Sequence, residues 1–131
     1  MRDGGAGIPP RVLVVEDNTL IAMELTLILE EAGYLPVGPA SDAATALSLI
    51  DKSAPHCAVL DINLGPALTS APIARRLNAL AIPFVYLSGY TETYSPDELP
   101  AGTILPKPVE PDTLAAALAA LTEATSESEC P

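Results

Sequence analysis

Cys57-Ala58-Val59-Leu60-Asp61 is a run of four apolar residues closed by a carboxylate. A short apolar run with a β-branched member reads as a buried strand of a parallel sheet. The acid at its end is a group that a buried strand does not need. The same grammar recurs on both sides. Val12-Leu13-Val14-Val15 is a second such run, closed by Glu16-Asp17. Pro83-Phe84-Val85-Tyr86-Leu87 is a third and runs into Ser88. Thr103-Ile104-Leu105 is a short fourth and leads through Pro106 to Lys107.

Helical periods lie between these runs. Residues 19–32 place Ile21, Leu25, Ile28 and Ala32 at helical spacing, with Gly33 to end the helix and Asp17 or Asn18 to cap its start. Tyr34–Ala40, punctuated by Pro36 and Pro39, reads as a further strand. Ser41 or Asp42 caps a helix carrying Ala43, Ala46, Leu47 and Ile50. Another helix is expected near 71–80, after a Gly/Pro loop. Pro111 opens a last helix with Leu114, Leu118 and Leu121 on one face. Residues 91–101 hold Pro96 and Pro100 and make a poor helix, so the fourth of five helices is expected to be reduced.

Strand and helix alternating five times imply a parallel sheet with helices on both faces, an open, doubly wound α/β fold. Five repeats are too few for an eight-fold barrel. The expected organisation is a flexible Gly/Pro-rich segment over 1–10, one domain over 11–122 and a frayed acidic tail over 123–131.

In a parallel sheet all the polar strand ends fall on one edge, where ligands of open α/β folds bind. Glu16, Asp17, Asp61, Ser88 and Lys107 are thus expected together. Packed carboxylates repel, and a Mg²⁺ ion with its oxygen ligands relieves that repulsion. One carboxylate can attack a phosphoryl group, and a cation and hydroxyl can stabilise the charge transferred with it. Singly, each residue has a plainer reading. Asp61 or Glu16-Asp17 could cap a helix, Ser88-Gly89 could be a turn, and Lys107 could be a solvated loop lysine. Their joint placement decides against those readings.

Six basic against seventeen acidic residues give a formal charge of −11 over 131 residues. That sign argues against nucleic acid or an anionic membrane as a partner. No apolar run approaches the length of a transmembrane helix, and MRDGGAGIPP lacks the apolar core of a signal peptide. Cys57 reads as a small buried hydrophobe, and Cys130 is far from it in sequence. The expected setting is therefore soluble and cytoplasmic, in a reducing compartment.

The motifs Val14-Val15-Glu16-Asp17-Asn18, Val59-Leu60-Asp61-Ile62-Asn63-Leu64-Gly65, Val85-Tyr86-Leu87-Ser88-Gly89-Tyr90 and Leu105-Pro106-Lys107-Pro108 resemble those of two-component response-regulator receiver domains. The resemblance covers residues 11–122. It implies a (βα)₅ flavodoxin-like fold of strand order 2-1-3-4-5. It implies Asp61 as the phosphoacceptor of a stand-alone single-domain regulator. Mg²⁺ would be held by Asp17 and Asp61 directly, by Asn63 through its backbone carbonyl and by Glu16 through water. Ser88 and Lys107 would contact the phosphoryl group, and the Lys107–Pro108 bond would be cis. The phosphoryl donor would be a sensor histidine kinase or a histidine phosphotransfer protein. Output would run through protein contact, or the chain would act as a phosphate sink. It would be no enzyme beyond its own phosphoryl transfer and slow autodephosphorylation.

Two departures stand out. Ile104 occupies the strand-five position where most receivers carry an aromatic switch. Tyr86-Leu87-Ser88-Gly89-Tyr90 resembles instead the Phe-Ala-Thr-Gly-aromatic motif of an atypical receiver subgroup, in which Tyr90 would tune access to the phosphoryl group; its plainer reading is packing over a loop. Tyr86 is expected to point into the sheet packing, and His56 reads as a loop residue with no assigned role. The first helix is unusually apolar, which suits either a partner or homodimer surface or cover by the last helix. The alternative function is a receiver-like interaction module that does not use phosphorylation. A phosphatase of the haloacid-dehalogenase type is disfavoured, because Ile62-Asn63 follows Asp61 where that family has Asp-x-Asp.

Overall fold

The computed structural model describes residues 9–64, 69–89 and 99–129. Its strands are β1 (Arg11–Val15), β2 (Leu35–Ala40), β3 (Cys57–Asp61), β4 (Phe84–Ser88) and β5 (Thr103–Pro106). The helices among the described residues are α1 (Thr19–Glu31), α2 (Ala43–Ser53), α3 (Ala71–Ala79) and α4 (Pro111–Glu129). The strands form one sheet in the order β2-β1-β3-β4-β5, and every pairing is parallel. The expected doubly wound architecture is therefore the observed one. The expected reduction of the fourth of five helices falls on a stretch whose residues 90–98, Tyr90 among them, lie outside the described residues. The chain's first eight residues and Cys130 lie outside them too.

Side-chain parity along the strands divides the core in two. Leu13, Val15, Ala58, Leu60, Phe84 and Tyr86 face one way and pack with Ala46 and Ile50 of α2 and Ile73 and Leu77 of α3. Val12, Val14, Cys57, Val59, Val85 and Leu87 face the other way and meet Leu25 and Leu29 of α1 and Leu114 and Leu118 of α4. Each fully buried Leu or Val contributes roughly 1.5–3 kcal/mol relative to exposure. Strands buried on both faces explain why the sequence runs are continuously apolar rather than alternating.

The caps follow local chemistry. Asn18 Oδ1 accepts the Ile21 N–H at 3.0 Å, so the cap of α1 is Asn18 and not Asp17. Asp42, not Ser41, caps α2 through the Thr45 N–H at 2.7 Å, which holds its carboxyl below its ordinary range. The inward stripe of α1 is Ala22, Leu25 and Leu29. The expected stripe was Ile21, Leu25, Ile28 and Ala32. Ile21 and Ile28 are part-buried flanks, and Ala32 is the exposed residue that ends the helix. Both stripes satisfy a 3.6-residue period, and only the sheet selects between them.

The last helix shares a core with α1 but does not cover its outer side. Leu20, Met23 and Leu27 remain 66%, 57% and 57% exposed. Helix α4 continues to Glu129, past the boundary expected at 122, because no Pro or Gly interrupts the chain there. Lys107–Pro108 is cis as the resemblance implied, and Gly38–Pro39 is also cis. No helix among the described residues is long and apolar enough to cross a membrane.

Candidate functional site

The strand order reverses between β1 and β3, and the crevice outside their carboxyl ends is the ligand position of such sheets. The chain leaves β1 at Glu16, whose N–H is held by the Ala40 carbonyl at 2.9 Å. This turns the Glu16 side chain inward, where it is buried, and its Oε2 accepts the Asn18 N–H at 3.0 Å. Asn18 thereby caps α1 and orients Glu16 at once. Asp17, released from capping, stays exposed at the strand end.

Asp61 ends β3 at 2% exposure. The next residue is fixed across the sheet, with the Ile62 N–H donating to the Leu87 carbonyl at 3.0 Å. Lys107 reaches in from the end of β5, its backbone N–H donating to the Ser88 carbonyl at 3.0 Å. Its Nζ lies 3.0 Å from Asp61 Oδ1 and 3.3 Å from Glu16 Oε1. The ammonium pairs with both carboxylates at ion-pair distance. Neither oxygen accepts a well-directed hydrogen bond, so both are buried acceptors with capacity in hand.

Carboxylate oxygens of Glu16, Asp17 and Asp61 lie within 4.8 Å of one another. Burial raises the Asp61 pKa, the Glu16 carboxylate beside it raises it further, and Lys107 only partly offsets them, leaving Asp61 at about 7. Burial pulls the Lys107 ammonium down, but Asp61 and Glu16 outweigh it and hold Lys107 above its ordinary value. Three oxygens and one cation leave a net negative cluster. An all-oxygen donor set of that charge fits a hard divalent cation such as Mg²⁺.

The remaining expected residues are placed less directly. Ser88 is part-buried, and its Oγ donates to the Gly89 carbonyl at 3.1 Å. Asn63 is part-buried and pairs across a short antiparallel bridge with Thr69. Tyr86 points into the sheet packing at 1% exposure, and its hydroxyl donates to the Pro100 carbonyl at 2.6 Å. Ile104 is 41% exposed. A cavity of about 370 Å³ adjoins Lys107, lined by Ile21, Leu25, Ile28, Leu87 and Val109 among others. Sequence reading did not anticipate Asn18 as the residue that orients Glu16. The signal was there, since Asn is a strong helix cap, but nothing in sequence ties a cap to a neighbouring acid.

Fold and site together define an open, doubly wound α/β domain with an acidic, cation-fitting cluster at the carboxyl edge of its sheet. A family model described as the response regulator receiver domain matches residues 12–119, and the chain belongs to that family. Phosphorylation and Mg²⁺ dependence are general in it, and its members are signalling proteins.

Among curated proteins, the chain is similar to the transcriptional regulatory protein PdtaR of Mycobacterium tuberculosis. The two are 33% identical over 91 residues, 69% of this chain and 44% of that protein. It is also similar to the phyllosphere-induced regulator PhyR of Methylorubrum extorquens, 26% identical over 120 residues, 89% of this chain and 45% of that protein. Among solved structures, SdrG of Sphingomonas melonis Fr1 superposes with a TM-score of 0.75 at 37% identity, covering 86% of this chain and 96% of SdrG. The chain spans about half the length of the curated relatives PdtaR and PhyR.

Proposed function

We propose that this chain accepts a phosphoryl group on Asp61 from a histidine kinase or a histidine phosphotransfer protein, with Mg²⁺ bound at Glu16, Asp17 and Asp61. The observation that carries this reading is the position of Lys107 Nζ, 3.0 Å from Asp61 and 3.3 Å from Glu16 at the carboxyl edge of the sheet.

In the proposed step an oxygen of Asp61 attacks phosphorus. The bond from phosphorus to the donor imidazole nitrogen breaks, and its electron pair leaves with the imidazole. The product is an acyl phosphate on Asp61. Mg²⁺, when bound, neutralises charge on the carboxylates and on the transferred oxygens. Asp17 and Asp61 would hold that ion directly and Glu16 through water, and the Asn63 backbone carbonyl would add a neutral ligand. Lys107 moves its pairing from the Asp61 carboxylate to a phosphoryl oxygen. Ser88 Oγ releases the Gly89 carbonyl and donates to another, which makes its rotation the local record of phosphorylation.

The domain that performs this is residues 11–122, and its setting is the cytoplasm. Output passes to a protein partner, or ends in drainage of phosphoryl groups from the kinase. The outward apolar side of α1, with Leu20, Met23 and Leu27, supports protein contact or a homodimer. A structure of SdrG bears the description "BeF3-activated conformation", at 38% identity to this chain over 86% of its length, with a TM-score of 0.68. Beryllium trifluoride on a carboxylate has the shape of a phosphoryl group, so the relative supports the same chemistry here. One observation favours the interaction-module reading: Ile104 has neither ring nor hydroxyl to reorient.

The test is intact mass after incubation with acetyl phosphate, with and without Mg²⁺, for the wild type and Asp61→Asn. One added phosphoryl group is expected only in the wild type with Mg²⁺. No adduct from a folded sample that binds Mg²⁺ would move the assignment to the interaction module.

A further inference from the structure

The sheet edge opposite the candidate site carries a second polar arrangement. Arg11, the first residue of β1, is held to the α2–β3 turn by four hydrogen bonds. Its Nε donates to the Ser53 carbonyl at 2.8 Å, and a guanidinium NH₂ donates to the Ala54 carbonyl at 2.9 Å. Its carbonyl accepts the His56 N–H at 2.8 Å, and its own N–H donates to His56 Nδ1 at 2.9 Å. The last bond has a chemical consequence. Ala54, in the left-handed conformation at φ 47°, gives its carbonyl to the guanidinium, and the imidazole serves as acceptor for the Arg11 amide. A ring nitrogen accepts only when it carries no proton.

We propose that His56 is a proton-sensitive clasp: its neutral ring ties the start of β1 to the α2–β3 turn, and protonation at Nδ1 opens that tie. The neutral ring must carry its hydrogen on Nε2. Protonation turns the acceptor into a donor facing another donor. The charged groups on the helices of that face are Asp51 and Lys52 of α2 and Arg75 and Arg76 of α3. Asp51 is engaged by Arg76 at 2.9 Å. Burial pushes the Cys57 thiol of β3 up to about 12, so it takes no part near neutrality. The adjoining ladder would feel the release, because β1–β2 pairing begins at Arg11 and Leu35 and the Leu35 N–H donates to the Pro10 carbonyl at 2.9 Å.

The direction is fixed by linkage. The clasp is complete while Nδ1 carries no proton and is lost as pH falls and a proton arrives there.

The experiment is a pH series of long-range ¹⁵N spectra of the imidazole, with amide exchange at Arg11 and Leu35, on the wild type and His56→Asn. The Asn carboxamide oxygen can stand where Nδ1 stands and does not titrate. Expected is an Nε2–H tautomer near neutrality. Exchange at the two amides should quicken on acidification in the wild type and much less in His56→Asn. Asp61 is present in both proteins, so its titration cancels. An Nδ1–H tautomer near neutrality, or equal acid sensitivity in both proteins, overturns the clasp. The spectra of the wild type decide the matter even if the variant folds poorly. None of these readouts depends on whether Asp61 is phosphorylated.

Discussion

Asp61 at 2% exposure, between a second carboxylate and an ammonium, gains more from a proton than it would in water. Its ordinary value of 3.8 is raised to about 7 without a metal. Between those values the folded chain keeps a proton that the unfolded chain has lost. Stability from this group is therefore full below the unfolded value and falls as pH rises through about 7. A cation on the same oxygens must displace that proton. Apparent Mg²⁺ affinity is thus expected to rise with pH and level off above about 7. Calorimetric titration across that range checks it, and Asp61→Asn should lose most of the slope. A wild-type affinity flat from about pH 5 to about pH 8 would falsify the coupling of proton and metal at Asp61.

The site also depends on how β2 ends. Gly38 sits at φ +100°, and a Cβ there would meet the Ala40 nitrogen at 2.8 Å and the Val14 carbonyl at 3.2 Å. That tight turn coincides with the slip in β1–β2 register, after which Ala40 pairs with Val15 and its carbonyl holds the Glu16 N–H. Gly38→Ala combines left-handed strain with a backbone clash, and is expected to cost about 2–3 kcal/mol and to weaken Mg²⁺ binding with it. Gly33→Ala, at φ +94° with nothing within 4 Å, carries strain alone and should cost only about 1 kcal/mol and leave Mg²⁺ binding intact. Urea unfolding and Mg²⁺ titration of the pair separate the two effects; equal losses of affinity would remove β2 from the account of the site. The contrast marks how far sequence reading reaches at this scale. Strands buried on both faces write themselves as apolar runs, so β1, β3 and β4 and their polar ends were legible. The phase of α1 was not, because apolar residues surround the helix and only contact with the sheet chooses Ala22 and Leu29 over Ile21 and Ala32. Nor was the side-chain state at the site. Asp61 and Lys107 were placed together by topology, whereas the orientation of Ser88 toward Gly89 and the tie of Glu16 to Asn18 are set by contacts that strand order does not specify.

Over the whole molecule, 17 acidic and 6 basic residues leave a formal charge of −11, and part of that charge converges on the cluster at the sheet edge. Two electrostatic effects must therefore be separated. Diffuse self-repulsion weakens the compact state and is relieved by any salt, since the Debye length shrinks from about 30 Å at 0.01 M to about 8 Å at 0.15 M. The cluster of Glu16, Asp17 and Asp61 is relieved only by an ion that enters it. Raising NaCl over that range should raise the melting temperature of the wild type and Asp61→Asn alike, because both keep nearly the same long-range field. Mg²⁺ at matched ionic strength should add a further increment to the wild type, approaching about 2.7 kcal/mol when the ion stands at a hundredfold its Kd. In Asp61→Asn that increment should shrink, because one of three anionic donors has become a neutral amide. Lys107→Met probes the same balance from the other side. Removing the ammonium lets Asp61 keep its proton to still higher pH, so well above about pH 7, where both Glu16 and Asp61 must be ionised, the metal-free protein should lose about 3 kcal/mol and Mg²⁺ should restore more of its stability than it adds to the wild type. Scanning calorimetry of the three proteins in the two salts distinguishes these terms. If Mg²⁺ and NaCl act equally on all three at matched ionic strength, the divalent ion is only screening, and the acidic cluster is a repulsion that Lys107 alone holds in check.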